Sequence, residues 1–296
     1  MQKIHAKHKI LFIINPIAGG RSKLNFKNAV DRNLDKTLFD PEFVFSENIG
    51  HAKILAFKGL EDGFKLIVAV GGDGTVNEVA TAVMGSEAIL GIVPFGSGNG
   101  LARHLDIPMN IDKAIRLLND YNIKMIDTAS LNDKKFFNMS GVGFDAHISL
   151  QFAALKGRGF QGYITTTLKE LSSFKSSAYS ITIDGKEIDR EAFLIAVANS
   201  TQWGNNAHVA PTAEIEDGLL DVCIIKPFKW FDFPELAFRL FSKTAHHSPH
   251  VEILKGKEIK IMRKDKGAVH IDGEPLQMGI QLNYKIDPSS LSVAAA

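Results

Sequence analysis

Two glycine-rich stretches, Gly71-Gly72-Asp73-Gly74-Thr75 and Gly96-Ser97-Gly98-Asn99-Gly100, each follow a short apolar run. Glycine admits positive φ and leaves main-chain N–H groups uncovered, so such loops can cradle an anion, phosphate above all. A helix starting right after the loop aims its N-terminus at the same place. Asp73 puts a carboxylate beside that anion, which makes chemical sense if it holds or orients Mg²⁺. Thr75 either caps the next helix or touches a phosphate, with Asn77 and Glu78 in the first turn. In the second loop Ser97 and Asn99 add donors, and Arg103 lies one turn further on. An earlier Asn15-Pro16-x-x-Gly19 also follows an apolar run. Just past it, Arg21 and Lys23 either neutralise phosphates or belong to a solvated helix start. No GxGxxG follows the first apolar run and no GxxxxGK[ST] occurs, so neither a dehydrogenase fingerprint nor a P-loop is present.

Acids recur later. In Glu214-Ile215-Glu216-Asp217-Gly218-Leu219-Leu220-Asp221, the Glu214 and Asp217 carboxylates with the Leu219 carbonyl offer hard-cation donors, the other reading being a capped turn. Val269-His270-Ile271-Asp272-Gly273-Glu274 ends an apolar alternation on Asp-Gly, the signal of a hairpin turn. His246, His247 and His250 lack zinc spacing and read as a loop. Cys223, the single cysteine, sits in the alternation Leu219–Ile225 and reads as core.

These residues need a scaffold. Ile10–Ile14, Glu42–Phe45, Phe64–Val70 and Ile89–Val93 read as buried strands. Between them, helical spacing marks 22–34, 51–59 and 76–84, and a further helix follows over 111–118. Strand and helix in alternation predict a doubly wound, Rossmann-like α/β domain over residues 1–128. From 124 on, nine strand candidates follow, with Asp184-Gly185 as a hairpin signal and helices only over 160–171 and 234–241. They predict a mainly antiparallel β-sandwich over 129–284. Residues 285–296 form a tail that either returns to the first domain or, given Ser-Ser and a terminal Ala-Ala-Ala, stays weakly ordered.

The chain has 296 residues, a formal net charge of +1 and 45% hydrophobic residues, which excludes a disordered chain and a uniformly basic nucleic-acid binder. Nucleic acid is not an expected partner. The five apolar residues Ile10–Ile14 are too few for a signal peptide core, and no run reaches the length of a membrane span. A cytoplasmic protein is expected, with peripheral contact at the inner membrane face left open. The aromatics Trp230, Phe231, Phe233, Phe238 and Phe241, interspersed with Lys229, Arg239 and Lys243, either lie on a bilayer or pack inside the second domain. Homodimerisation through an edge strand is also open.

Taken together, the motifs resemble those of the bacterial diacylglycerol kinase-like lipid kinases, relatives of the sphingosine and ceramide kinases. The resemblance rests on Asn15-Pro16-x-x-Gly19, Gly71-Gly72-Asp73-Gly74-Thr75 with Asn77-Glu78, and Gly96-Ser97-Gly98-Asn99 with Ala102-Arg103. Asn138-x-x-Gly141-x-Gly143-Phe144-Asp145, Asp217-Gly218-Leu219-Leu220-Asp221 and Asp272-Gly273-Glu274 complete it, in the family's order over nearly the whole chain. GGDGT alone occurs in NAD kinases too. The resemblance implies ATP and Mg²⁺ as cofactors, a lipid alcohol acceptor and an active site between two domains. It further implies Asp73 at the ATP and catalytic Mg²⁺ site, Asp272 as general base and Asp127 in the active-site acid network. Glu214, Asp217 and the Leu219 carbonyl would hold a structural Mg²⁺, Glu214 being the acid three residues before Asp217. Arg21, Lys23 and Arg103 resemble the basic residues of the nucleotide pocket.

Overall fold

The computed structural model describes residues 7–18, 25–154, 167, 169–171 and 173–296. The chain divides into two compact units, Met1–Ile126 with Ser290–Ala296, and Asp127–Ser289.

In the first unit, β1 (His8–Ile14), β2 (Phe39–Phe45), β3 (Leu66–Gly71) and β4 (Ile89–Pro94) form a parallel sheet in the order β2-β1-β3-β4. All six residues of β3 are buried, as expected of a parallel strand covered on both faces. Successive side chains of β1 show the two layers. Phe12 meets Phe26 of α1 (Phe26–Asn33) edge-on, with ring centroids 5.6 Å apart. On the opposite face Leu11 lies against α2 (His51–Glu61), where a Cβ at Gly59 would come within 2.6 Å of its Cδ2. α3 (Asp73–Val83) joins the α2 layer, since Glu78 accepts the Gly50 and Ala52 N–H groups at 2.8 and 3.0 Å. A short α4 spans Gly100–His104. α5 (Ile111–Leu117) joins the α1 layer through Asn33, which contacts Asp112 and Arg116 at 2.9 and 2.8 Å. The layers confirm the doubly wound α/β fold. Strand order reverses between β1 and β3, and ligands of open α/β sheets bind beyond the carboxyl ends at such a switch point.

The second unit is an antiparallel sandwich. One sheet has the order β12-β11-β10-β7-β14-β15, made by Val251–Gly256, Leu220–Ile225, Leu194–Ala198, Met139–Gly143 (β7), Gly267–Ile271 (β14) and Glu274–Met278 (β15). The other contains Glu258–Arg263 (β13), Ser177–Ile183 (β8), Lys186–Ala192 (β9) and the start of β16 (Gln281–Ala295), with β5 (Asn122–Leu131) and β6 (Lys134–Phe136) alongside. Ile195 and Val197 of the central strand β10 face the apolar core shared by the sheets. Leu194, Ala196 and Ala198 face a second core under α6 (Phe144–Ala154) and α7 (Phe233–Phe241), which also holds Cys223.

Several expectations change. The 135–140 candidate splits into β6 and β7, because a turn at 137–138 places main-chain donors where Asp272 needs them. The tail is ordered: β16 runs to Ala295, Val293 pairs in parallel with Leu90, and Val293, Ala294 and Ala295 are buried. Small side chains fit where the backbone supplies the pairing. α6 was not legible as a helix, since its apolar residues are not confined to one stripe. The helix expected over 160–171 lies mostly outside the described residues.

Candidate active site

Asn15 follows β1, and its main-chain N–H donates to the Val70 carbonyl at 3.0 Å. Its side chain accepts from the Ile17 N–H at 3.1 Å, so the turn at Pro16 is closed locally, and donates to Thr75 Oγ1 at 3.1 Å. Gly19, Arg21 and Lys23 lie outside the described residues.

After β3 the chain does not form the positive-φ loop expected. Gly72 is extended, with φ −93°, and α3 begins at Asp73, so Asp73, Gly74 and Thr75 are its first turn. The glycines serve close approach instead. A Cβ on Gly71 would lie 2.4 Å from Thr75 Oγ1, and one on Gly96 would lie 2.7 Å from the Gly72 Cα. The two glycine-rich segments thus touch backbone to backbone, and a methyl group on either side would push them apart. The residue that takes positive φ is Asn99, at +53°.

Asp73 joins them chemically. Its Oδ2 accepts the Asn99 N–H and its Oδ1 the Gly100 N–H, both at 2.8 Å. The carboxylate therefore binds the start of α4. Asn99 in turn closes its own loop, accepting the Gly96 N–H at 2.9 Å and donating to the Gly96 carbonyl at 2.8 Å. Arg103 folds back to donate from Nε to the Gly98 carbonyl at 3.0 Å. Ser97 is exposed at the tip. Glu78 lies apart from this cluster in role, because both of its oxygens cap α2. Asn15, Gly71, Gly72, Asp73, Gly74, Thr75, Gly96, Gly98, Asn99 and Arg103 form one connected structure at the ends of β1, β3 and β4.

In the second unit Asp272 and Gly273 are the two central residues of the β14–β15 hairpin, with φ +47° and +87°, as a type I′ turn requires. The buried Asp272 carboxylate accepts three main-chain N–H groups, from Phe137 at 3.1 Å, Asn138 at 2.9 Å and Met139 at 3.0 Å. Two residues earlier, buried His270 meets buried Asp145 at 3.0 Å. Gly141 makes room for this pair, since a Cβ there would lie 2.2 Å from Asp145 Oδ2. The His270–Asp145 pair went unread in the sequence. Its traces are a histidine between two core-facing residues, Val269 and Ile271, and Asp145 at the end of the Asn138–Asp145 motif.

Asp127 is almost wholly buried. Its carboxylate accepts the Gly218 and Ser289 N–H groups, each at 2.7 Å, and its main-chain N–H donates to the Ile215 carbonyl at 2.8 Å. It therefore ties the acidic 214–221 segment to the end of the unit.

That segment does not fit the structural Mg²⁺ expected of Glu214, Asp217 and Leu219. The Lys255 ammonium lies 2.9 Å from Asp217 Oδ2, 3.2 Å from the Thr212 carbonyl and 3.4 Å from buried Asp221 Oδ2. A cation already serves these oxygens. Asp217 Oδ1 accepts the Leu219 N–H at 3.0 Å, while Glu214 is exposed. Among the described residues no group of three or more His, Cys, Asp or Glu could hold a metal ion. Burial pushes the Asp221 carboxyl up. Desolvation of Lys255 acts to lower its pKa but is outweighed by the bond to Asp217 and the charges of Asp221 and Asp217, so the ammonium titrates above its ordinary value. Asp73 is half-buried at a helix start, and its hard oxygens, which accept the Asn99 and Gly100 N–H groups, are of the kind that binds Mg²⁺ held with a nucleotide.

A parallel sheet with ligand-type loops at its switch point, joined in sequence to an antiparallel sandwich, defines a two-domain class. Comparison with known proteins narrows it. Residues 9–131 match the family model for the diacylglycerol kinase catalytic domain, and residues 139–295 match that for the YegS C-terminal NAD kinase beta sandwich-like domain. "Probable lipid kinase YegS" of Salmonella arizonae is 32% identical over 241 residues, 77% of each chain. "Probable lipid kinase YegS-like" of Pseudomonas aeruginosa is 28% identical over 291 residues, 97% of this chain and 94% of that one. A solved structure, "Crystal structure of a putative diacylglycerol kinase from Bacillus anthracis str. Sterne", superposes with a TM-score of 0.78 at 25% identity, covering 98% and 97% of the two chains. The chain belongs to the diacylglycerol kinase-like, YegS-type family.

Proposed function

We propose that the protein is an ATP-dependent, Mg²⁺-requiring lipid kinase that phosphorylates the hydroxyl of diacylglycerol or a related lipid alcohol. The observation that carries the reading is the Asp73 carboxylate binding the Asn99 and Gly100 N–H groups, which fixes two glycine-rich segments at the switch point of the sheet. Family membership supports the reaction class.

Positioning and electrostatics dominate phosphoryl transfer. Asn15, Thr75 and the first turn of α3 bind and orient the triphosphate. Arg103, anchored on Gly98, offers its guanidinium to phosphate oxygens. Mg²⁺, held through Asp73, would neutralise charge on those oxygens. The acceptor oxygen attacks the γ-phosphorus in line, a new P–O bond forms, and the bond to the β,γ-bridging oxygen breaks with its electron pair leaving on ADP. Asp272 takes the hydroxyl proton and returns it to solvent. The three main-chain donors on Asp272 hold the base in one orientation. Asp127 acts at a distance from the reacting atoms, by setting the 214–221 segment. A lipid acceptor brings the protein to a bilayer surface, and no helix among the described residues is long and apolar enough to cross one.

The test is transfer of labelled γ-phosphoryl from ATP to a panel of diacylglycerol, ceramide, sphingosine and phosphatidylglycerol in mixed micelles, with NAD⁺ as a further acceptor. The reading expects a labelled lipid. Labelled NADP⁺ instead would make the protein an NAD kinase, and Mg-ATP binding without any product would leave a binding protein.

A further inference from the structure

Residues 226–243 have two apolar faces, and the second unit covers only one. Leu236 is buried, and Leu240 and Phe228 pack on the core that contains Cys223 and Ile225. Along α7, positions 233, 236 and 240 share that inner face, while 234, 238 and 241 share the outer one. Phe238 and Phe241 are 71% and 52% exposed, and Trp230 and Phe231, in the turn leading into the helix, are 77% and 57% exposed. The apolar arc of the helix is wider than the face that packs on the unit, with Glu235 and Arg239 on the remaining side; such an arc suits contact with lipid, and isolated surface apolar residues do not cluster this way.

Charge names the occupant. The segment carries Lys226, Lys229, Arg239 and Lys243 against Asp232 and Glu235. Arg239 and Glu235 pair along the helix. Lys229 and Lys243 are exposed at the two ends of the aromatic face, and Lys229 Nζ lies 5.5 Å from the Phe231 ring centre. Tryptophan and phenylalanine flanked by lysine suit the depth of lipid headgroups, rings on the acyl side and ammonium groups on phosphates. At nine residues, α7 is about 14 Å long, under half of a hydrocarbon core of roughly 30 Å. It can lie in the interface but not span it.

We propose that Trp230, Phe231, Phe238 and Phe241 form a docking face for a bilayer bearing anionic lipid, with Lys229 and Lys243 on its headgroups. The proposal rests on the lipid-kinase reading for its biological sense, but its test is separate. The full chain is sedimented with vesicles of phosphatidylcholine, with and without phosphatidylglycerol, alongside a Trp230→Ser/Phe238→Ser double variant and a Lys229→Glu/Lys243→Glu double variant. Wild type should bind the anionic vesicles, less at high salt, and either variant should lose at least tenfold in bound fraction while its melting curve holds. Phosphorylation of a short-chain acceptor kept below its micelle concentration should be unchanged in both variants. Absence of wild-type binding, or binding unaffected by both variants, overturns the proposal. So does a wild-type dimer that the aromatic variant dissociates while vesicles bind neither protein, since the face would then be an interface between two copies. If no lipid is phosphorylated but vesicle binding still depends on these residues, the docking face stands and the kinase reading falls.

Discussion

Each of three carboxylates is held by main-chain donors, and this sets what their replacement should do. Asp73 uses one oxygen for Asn99 and the other for Gly100. Asparagine there turns one acceptor into an NH₂ group facing an N–H, so the two segments lose their joint along with a charge. Mg-nucleotide affinity in Asp73→Asn should fall at least about tenfold, or about 1.4 kcal/mol, by calorimetric titration. Unchanged affinity would remove the metal role. Lys255 poses a different question, because its ammonium serves Asp217 and buried Asp221. Lys255→Met leaves Asp221 buried without its counter-ion and should cost about 1–3 kcal/mol by urea denaturation, less than a fully buried pair because the lysine is partly solvated. The sign with pH follows from the raised pKa of Asp221. Its protonated form favours the fold, so its contribution is full below its unfolded value and is lost as pH rises through the folded one. The deficit of Lys255→Met should therefore shrink on acidification and widen toward neutrality. In nucleotide-free wild type, Mg²⁺ should leave the melting temperature unchanged. A saturable rise abolished by Asp217→Asn would mean that a metal displaces Lys255.

Elements were legible where periodicity was strong, and obscured where a single contact decides the geometry. Glu258–Arg263 follows from alternation alone, because a half-buried strand shows its period of two. The start of α3 did not. Two glycines and an aspartate read as loop, since glycine is a poor helix former, yet the helix begins at Asp73 with Gly72 as its N-cap. The reason glycine is needed at 71, 72 and 96 is equally hidden, as it lies in another segment's proximity rather than in local φ. Gly96→Ala tests this. Its Cβ would crowd the Gly72 Cα at 2.7 Å and Asn99 Oδ1 at 2.6 Å, so the substitution should cost about 1–3 kcal/mol and weaken nucleotide binding together. A neutral Gly96→Ala would show that the two segments can part freely. Asp272 was visible as an Asp-Gly hairpin, but the Phe137–Met139 donors under it come from a distant strand and leave no local signature.

For the whole molecule, the order of motifs carried more than any one of them. Each glycine-rich segment or Asp-Gly turn has a bland local explanation, and the structure supplies that explanation too: a helix start, a closed loop, a hairpin. What the sequence could not reveal is how firmly each acid is bound by main-chain donors, because those donors come from remote residues. Function in this account depends on Asp272 being both well held and reactive. The most direct test is therefore γ-phosphoryl transfer from ATP to diacylglycerol in mixed micelles by wild type and Asp272→Asn, with Mg-ATP affinity and melting temperature measured on the same preparations. Wild type should yield phosphatidic acid, and the variant should show a rate lowered roughly 10²–10⁴-fold with nearly equal nucleotide affinity. A folded Asp272→Asn protein that keeps its turnover, or one that loses nucleotide binding while residual turnover persists, would contradict the assignment of Asp272 as the base.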